Sequence, residues 1–562
     1  MSGKPWLDHY DEGVPKTLEP YPEITLIETL RETVQLQSGH PVLRFKGADM
    51  SATQLEQLSN ALGAALIARG VKKGDRVAMV LPNSPQSFIG FFGIWKAGGI
   101  AVPLNPLYTE SELEYALQDS GSTAVIVLSS FYNKLKNIQA HTKVSTIIAT
   151  NIKEYLPPML TVLFTLLKEK KEGYRITLQA GDVWLGELLN QYASAATPTV
   201  EVKPTDHAIF LFSGGTTGIP KCTIGSHQAL VMSGMQISSW FRRNFKEWEG
   251  SIMQNMLLFH VYGLAGVMPT GLVGHNTLIL IPNPRDMKDL LETIKKDKPT
   301  FLPGVPTLFI ALINHPEVIS GEVSLRSIKN CISGAAPLMH ETKQRFEALT
   351  GGNIVEGYAM TETMMATVIT PVNGTYKPGS TGVPVTDVEI RIVDAETGQV
   401  EMPTGQVGEI TMRCPQLMLG YYQHPTETAN AIREGWLYTG DLGYMDEDGY
   451  LFIVDRKKDV IKPSGFQVWP RDVEEVIATH PAVAEVGVAG IPDAYSGEAV
   501  KAWVVLREGQ QLGEEELRQF CRSKLTGYKV PKYIEFRPSL PKSMVGKVLR
   551  RELMREQESG EI

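Results

Sequence analysis

The sequence predicts an α/β protein with a smaller, separately built C-terminal part, and three observations carry that prediction. Short β-branched runs recur with helical stretches between them: RVAMV at 76, IAVPL at 100, TAVIVL at 123, AIFLF at 208 and NTLILI at 276. Such alternation favours sheets with a good share of parallel pairing. After about residue 380 the texture changes to short strands and glycine turns, in VEIRIVDAETGQ, GQVGEITMRC and DEDGYLFIV, which predicts a compact antiparallel subdomain. The segment DRKKDVIKPSGFQV, 455–468, is charged, carries Pro-Ser-Gly and precedes a new series of helices and strands, so a domain boundary falls there.

Between the first two strands, SPQSFIGFFGIWKAGG is mostly apolar, opens on Ser-Pro and stops at Gly-Gly, which predicts a buried crossover helix. A second apolar stretch, YLPPMLTVLFTLLKEKKEG at 155–173, places Pro158 to open a helix whose apolar run ends at Leu167 and meets Lys168, Lys170 and Lys171. It is too short to span a bilayer. Two readings stay open for it: a helix lying in a membrane interface, or a buried helix or loop flap.

With 562 residues, 43% hydrophobic and 21% charged, the chain is long enough for one large domain plus a smaller one. A formal charge of -8 and a pI near 5.9 argue against nucleic acid as a partner bound through bulk positive charge. Cys222, Cys331, Cys414 and Cys521 lie far apart with no C-x-x-C spacing, so neither a disulfide framework nor a zinc knuckle is written here. A reducing, cytoplasmic setting is the expectation. The opening MSGKPWLDHYDEG lacks the apolar core of a signal peptide, and no run approaches the roughly 20 apolar residues of a membrane span.

The chemistry concentrates in a few places. FSGGTTGIPKCTIGSH, 212–227, fails the Walker pattern because Ile219 and Pro220 separate Gly218 from Lys221. Its glycines Gly214, Gly215 and Gly218 nevertheless free consecutive N–H groups to form an anion-binding concavity. Ser213, Thr216 and Thr217 add hydroxyls and Lys221 adds charge, which suits a triphosphate; a flexible turn is the plain alternative. EGYAMTE, 356–362, groups a flat ring (Tyr358), a hydroxyl (Thr361) and a hard oxygen ligand suited to Mg²⁺ (Glu362). GWLYTGDLG, 435–443, puts Asp441 in a glycine-flanked turn, where its carboxylate could accept from both ribose hydroxyls or simply cap its own backbone. His260, in LLFHVYGL, reads from context alone as a satisfied core histidine, and Lys547, in LPKSMVGKVLRREL, as either a phosphoryl-reaching or a solvated lysine.

In this order and at these separations, SGGTTGIPK, FHVYGL, SGAAPL, GYAMTE, YTGD, DRKKDVIKPSG and PKSMVGK resemble the motif set of the adenylate-forming superfamily, essentially end to end. SGEAVKAWVV, CRSKLTGYKVPK and LPKSMVGKVLRREL look most like bacterial long-chain fatty acid CoA ligases. The Gly214-Gly215 pair and an insertion at 155–173 fit that branch too.

The resemblance implies a large N-terminal domain, 1–455, of two α/β subdomains plus a β-rich subdomain, and a small mobile α+β C-terminal domain, 456–562. The hinge would lie near 455–459 at Lys458. It implies activation of a fatty acid with ATP and Mg²⁺ to an acyl-adenylate, then transfer to coenzyme A. Lys547 matches the adenylation lysine, Glu362 the Mg²⁺ ligand with Thr216 helping, and residues 213–218 with Lys221 the pyrophosphate loop. Gly334 and Ala335 would line the adenine pocket with Tyr358, Thr361 would contact the α-phosphate, and Asp441 and Arg456 would hold the ribose. In the second step Lys462 and Gly465 would reach the site, with Gly465 passing the pantetheine arm, and His260 would sit beside the carboxylate and thiol path. Cys222 and Ala359 stand where the family usually has glycine, and both are expected to add bulk near the nucleotide or acyl group; next to Lys221 the Cys222 thiol could be reactive or inert filler. A homodimer and peripheral contact at the inner face of the membrane complete the branch's expectations. The alternatives are a fatty acyl-AMP ligase serving a carrier protein and an inactive acyl-binding protein.

Overall fold

The computed structural model describes residues 3–213, 220–466, 468–493, 495–542 and 548–559. Each run singled out at 76, 100, 123, 208 and 276 forms a strand. One sheet runs Gly420–Tyr421, Cys222–Ser226, His207–Phe212, Ile100–Pro103, Arg76–Val80, Ala124–Leu128, Thr146–Thr150 and Val183–Trp184. It is parallel from His207–Phe212 onward and antiparallel at the Gly420–Tyr421 edge.

The crossover between Arg76–Val80 and Ile100–Pro103 is the predicted helix, Pro85–Lys96, and every one of its residues is buried. Proline fits its first turn, where the missing N–H costs nothing. Gly93 allows close approach to the Ala52–Ala68 helix: a Cβ there would stand 2.7 Å from the Leu62 side chain. Trp95 Nε1 donates to Ala208 O at 2.9 Å, and Lys96 Nζ reaches Glu56 Oε2 at 2.6 Å and Ser59 Oγ at 2.8 Å. Burial holds the Lys96 amine down to about 8 despite that carboxylate.

The second large sheet runs Val383–Pro384, Met365–Ile369, Asn353–Met360, Asn330–Ser333, Phe301–Gly304, Ser251–Gln254, Thr277–Leu280, Pro41–Phe45 and Ala48–Ser51. Its centre is parallel, and both edges turn antiparallel. The N-terminal segment therefore belongs to the second sheet, with Leu43 paired to Leu278. The predicted antiparallel subdomain is a third sheet of Glu389–Val393, Gly408–Arg413, Trp436–Met445, Ile432–Arg433 and Leu451–Arg456. Beyond it, the Val483–Asp493 and Gly497–Leu506 hairpin takes Tyr533–Phe536 as a parallel neighbour, over a core of its own that includes Val473, Ile477, Val488, Val504 and Leu517.

The Pro158–Leu167 helix forms as the sequence predicts, and no residue of it is buried, so the reading of 155–173 as a buried helix is overturned. Among the described residues no helix is long and apolar enough to cross a membrane.

Candidate active site

The site lies where the two large sheets and the antiparallel sheet converge, and it has two polar ends. The first is built on the Asn353–Met360 strand. Tyr358 OH donates to Asp441 Oδ2 at 2.5 Å, and Arg456 Nε stands 3.3 Å from Asp441 Oδ1. Burial, reinforced by the Asp441 carboxylate, pushes the Tyr358 phenol well above its ordinary value, so it stays a donor. Asp441 is not in a turn, as its T-G-D context suggested. It lies within the strand Trp436–Met445, opposite Arg456, and the irregularity is Gly440 at φ +70°. Its carboxylate is spent across strands rather than on its own backbone.

Gly334 follows the Asn330–Ser333 strand, and its N–H donates to Gly304 O at 3.1 Å. A Cβ on Gly334 would lie 3.3 Å from the Tyr262 ring and 3.8 Å from Gly357 O, which places Gly334 and exposed Ala335, at φ +69°, beside Tyr358. Gly334, Ala335, Tyr358, Asp441 and Arg456 are thus brought together.

The second end sits past the turn that carries Thr361 and Glu362. Glu362 Oε1 accepts from Tyr421 OH at 2.8 Å, and Lys221 Nζ stands over the Tyr421 ring at 5.3 Å from its centre. Tyr421 reaches both because the short Gly420–Tyr421 strand pairs with Cys222–Ser226, with Tyr421 opposite Thr223. At the neck of the glycine-rich loop, Ser213 N–H and Oγ both donate to Lys221 O, at 2.9 and 3.3 Å, and Tyr115 OH donates to Pro220 O at 3.0 Å. Gly214, Gly215, Thr216, Thr217 and Gly218 lie outside the described residues, as does Lys547.

No group of three or more His, Cys, Asp or Glu side chains that could hold a metal exists among the described residues. Glu362 keeps one oxygen beyond its bond to Tyr421, a donor set that suits Mg²⁺, which takes one or two carboxylates and fills its octahedron with phosphate oxygens and water.

His260 lies two residues before Tyr262, whose ring borders Gly334. Its Nδ1 accepts the Tyr262 N–H at 3.2 Å, so the proton of the neutral ring resides on Nε2, which has no partner among the described residues. Burial lowers its pKa to about 4, and it is neutral at physiological pH. The core-histidine reading therefore accounts for one nitrogen only. Tyr262 begins a π-helical turn, Tyr262–Val267, a form that recurs at functional sites. Its hydroxyl donates to Ile332 O at 2.8 Å, and its ring lines a narrow apolar cavity with Ile237, Ile252, Gly266, Phe301 and Met365.

Cys222 adds no bulk to the site. It is fully buried in the core beneath Phe210, and burial pushes its thiol well up, which overturns the reactive reading. Ala359 follows an irregularity in the pairing of Asn353–Met360 with Met365–Ile369 and packs against the main core. Lys462 is exposed, its backbone N–H donating to Glu498 Oε2 at 2.6 Å, and it precedes the single turn Pro463–Gly465. Lys458 is exposed, and partial desolvation among its neighbours lowers its pKa. The residue that sequence reasoning missed is Tyr421: it stands two hundred residues from Lys221 and carries no charge signal of its own.

A model of AMP-binding enzymes matches residues 30–422, and one of their C-terminal domain matches 472–547. The chain belongs to the AMP-binding enzyme family. A long-chain-fatty-acid–CoA ligase of Bacillus subtilis (strain 168) is 40% identical over 99% of each chain. Among solved structures, ATP-bound MatB from Rhodopseudomonas palustris superposes with a TM-score of 0.82 at 27% identity, over 95% of this chain and 99% of that one. The anthranilate CoA ligase AuaEII in complex with anthranoyl-AMP gives 0.83 at 25% identity, over 96% and 98%.

Proposed function

We propose that this protein activates a long-chain fatty acid with ATP and transfers it to coenzyme A. The observation that carries the reading is the position of Tyr262: its ring borders Gly334 at the first polar end and walls a narrow apolar cavity, while its backbone N–H donates to His260 Nδ1. The apolar side chains beside Tyr262 would part to admit an acyl tail, whose carboxylate would then meet the nucleotide near His260. The 40% identity to the Bacillus subtilis ligase supports the acid's class.

In the first half-reaction a carboxylate oxygen bonds to the α-phosphorus of ATP and the bond to pyrophosphate breaks. Two anions meet, so the protein's task is alignment and charge neutralisation. Tyr358, Asp441 and Arg456 would hold the nucleoside, and Lys221 and the loop after Ser213 the leaving pyrophosphate. Thr361 would contact the α-phosphate, and Lys547 would bridge it to the carboxylate. Glu362 would hold Mg²⁺, with Thr216, and the ion would supply charge neutralisation on the phosphates. His260, neutral, would donate its Nε2–H to the acyl oxygen.

In the second half-reaction the thiolate sulfur bonds to the acyl carbon and the bond to AMP breaks. We infer that residues 456–562 turn about Lys458 as a body separate from 1–455, withdrawing Lys547 and presenting Lys462 and Gly465. Arg550 supports this hinge: its guanidinium lies 3.1 Å from Asp455 on one side, and 3.4 and 2.6 Å from Asp459 and Glu474 on the other. A turn at 458 breaks the first contact and carries the other two along. So insoluble an acid also calls for peripheral contact with a bilayer, through 155–173.

The test is incubation with ATP, Mg²⁺ and acids from C6 to C20, with and without coenzyme A. AMP and acyl-CoA rising in step, best with long acids, is the expected result. Adenylate left untouched by coenzyme A would move the reading to a carrier-loading enzyme, and no adenylate from any acid would overturn it.

A further inference from the structure

One buried side chain ties the first large sheet to the stretch that carries His260. Asn83 follows the strand Arg76–Val80, stands two residues before the Pro85–Lys96 helix and is 1% exposed. Its Nδ2 donates to Gln254 O at 2.8 Å and to Met256 O at 3.0 Å, and its Oδ1 accepts the Leu258 N–H at 3.0 Å. Both amide hydrogens and the oxygen are thereby used. An asparagine just ahead of a helix ordinarily bonds its own backbone. These three bonds instead cross 171, 173 and 175 positions of the chain to the end of a strand in the second sheet and the loop after it.

His260 depends on that loop. Its own N–H donates to Leu257 O at 3.0 Å, and Leu257 lies between Met256 and Leu258, both held by Asn83. Met256 O takes a second donor, Gln254 Nε2 at 2.7 Å, which also reaches Gly263 O at 3.3 Å. The fit is close: a Cβ on Gly263 would stand 2.4 Å from both Met256 O and Leu257 O. Because the Tyr262 N–H fixes Nδ1 of the His260 ring, the direction of Nε2–H follows from the backbone of 257–262. On the other side, Ser87 Oγ donates to Pro82 O at 2.6 Å and fastens the turn that carries Asn83 to a wholly buried helix.

We propose that Asn83 is a positioning residue for the adenylation step: through the backbone of 256–258 it sets where His260 presents Nε2–H to the acyl oxygen. For the part given to His260 the inference rests on the ligase reading; the link from Asn83 to His260 stands on the hydrogen bonds alone. Gln254 and Asn255, in the same stretch, each keep a buried side-chain oxygen without a partner among the described residues. The amide that is fully committed is therefore the one that comes from the other sheet, and it is spent on the residues that lead to His260. A reacting group displaced by about 1 Å loses on the order of a hundredfold in rate. Support of this kind thus has a catalytic consequence without touching substrate.

Asn83→Ala removes all three bonds. Without ATP, acid or coenzyme A, hydrogen exchange of the peptide spanning 255–264 is expected to quicken by about tenfold or more while the strand Thr277–Leu280 keeps its rate. Unchanged exchange at 255–264 overturns the link, whatever the enzyme does. Acid-dependent pyrophosphate release is then read, first in the unaltered protein; its absence there is failure of the ligase reading, whereas the outcomes that follow concern Asn83 alone. Asn83→Ala is expected to lower kcat by about tenfold or more with the KM for ATP held within about twofold. In the His260→Ala background the same substitution is expected to cost less than about twofold, because both changes act through one group. Equal losses in the two backgrounds, or a raised KM for ATP with kcat unchanged, overturn the proposal. Gln254→Met keeps the side-chain volume and removes the other donor to Met256 O, so it reads the same link should Asn83→Ala lower the yield of folded protein. A smaller loss that again vanishes beside His260→Ala is expected, and additive losses overturn the proposal there too.

Discussion

Two apolar helices of this molecule, Pro85–Lys96 and Pro158–Leu167, begin alike and end in opposite surroundings. Both open with proline in the first turn; the first is buried at every residue, the second at none. Apolar content does not separate them. What does is the surface each meets: the first crosses between two parallel strands and is covered by the Ala52–Ala68 helix, while the second meets the body through Phe164, Thr161 and the Glu169 root. Burial here is a property of the partner.

The sharpest way to break the comparison is Trp95→Ala. It empties a fully buried site and orphans Ala208 O, and a loss of about 3–5 kcal/mol is expected, read from the first urea unfolding transition. Lys96→Met is next. Because the folded amine sits near 8 and an unfolded one near 10.5, the unfolded chain binds more protons between those values. Stability therefore rises as pH climbs through that window and is lost as pH falls through 8. The rise, on the order of 2–3 kcal/mol, is expected to flatten in the variant, which unfolding curves from pH 7 to 10.5 would report.

Gly93→Val drives a side chain into Leu62 and is expected to cost about 1–3 kcal/mol by the same urea measurement. Val162→Ser and Leu166→Ser on the exposed helix should each stay within about 0.5 kcal/mol, since each is a surface change. A cost of 2 kcal/mol at either position would mean that the outward face is covered, and would erase the contrast.

Legibility in the sequence follows the same line. The strands at 76, 100, 123, 208 and 276 and the Pro85–Lys96 helix were readable because their periodicity and their proline and glycine bounds are local. Tyr358, Asp441, Arg456 and Glu362 were readable from motifs, and their assembly into two polar ends is a tertiary fact. Asp441 was misplaced in a turn because glycine at φ +70° inside a strand carries the same letters as a tight turn. Cys222 read as a neighbour of the nucleotide because sequence gives its adjacency to Lys221 and not the alternation that points it into the core.

The sequence by itself determined which segments become strands and helices, the change of texture after residue 380 and the family of motifs. Only the tertiary structure decided that Tyr421 would join Lys221 to Glu362, that His260 would keep one nitrogen free, and that one apolar helix would be swallowed while the other faces outward. Local preference is set by a residue and its neighbours along the chain. Burial, hydrogen-bond partners and shifted protonation are set by what packs against it, and that surface is assembled from residues hundreds of positions away.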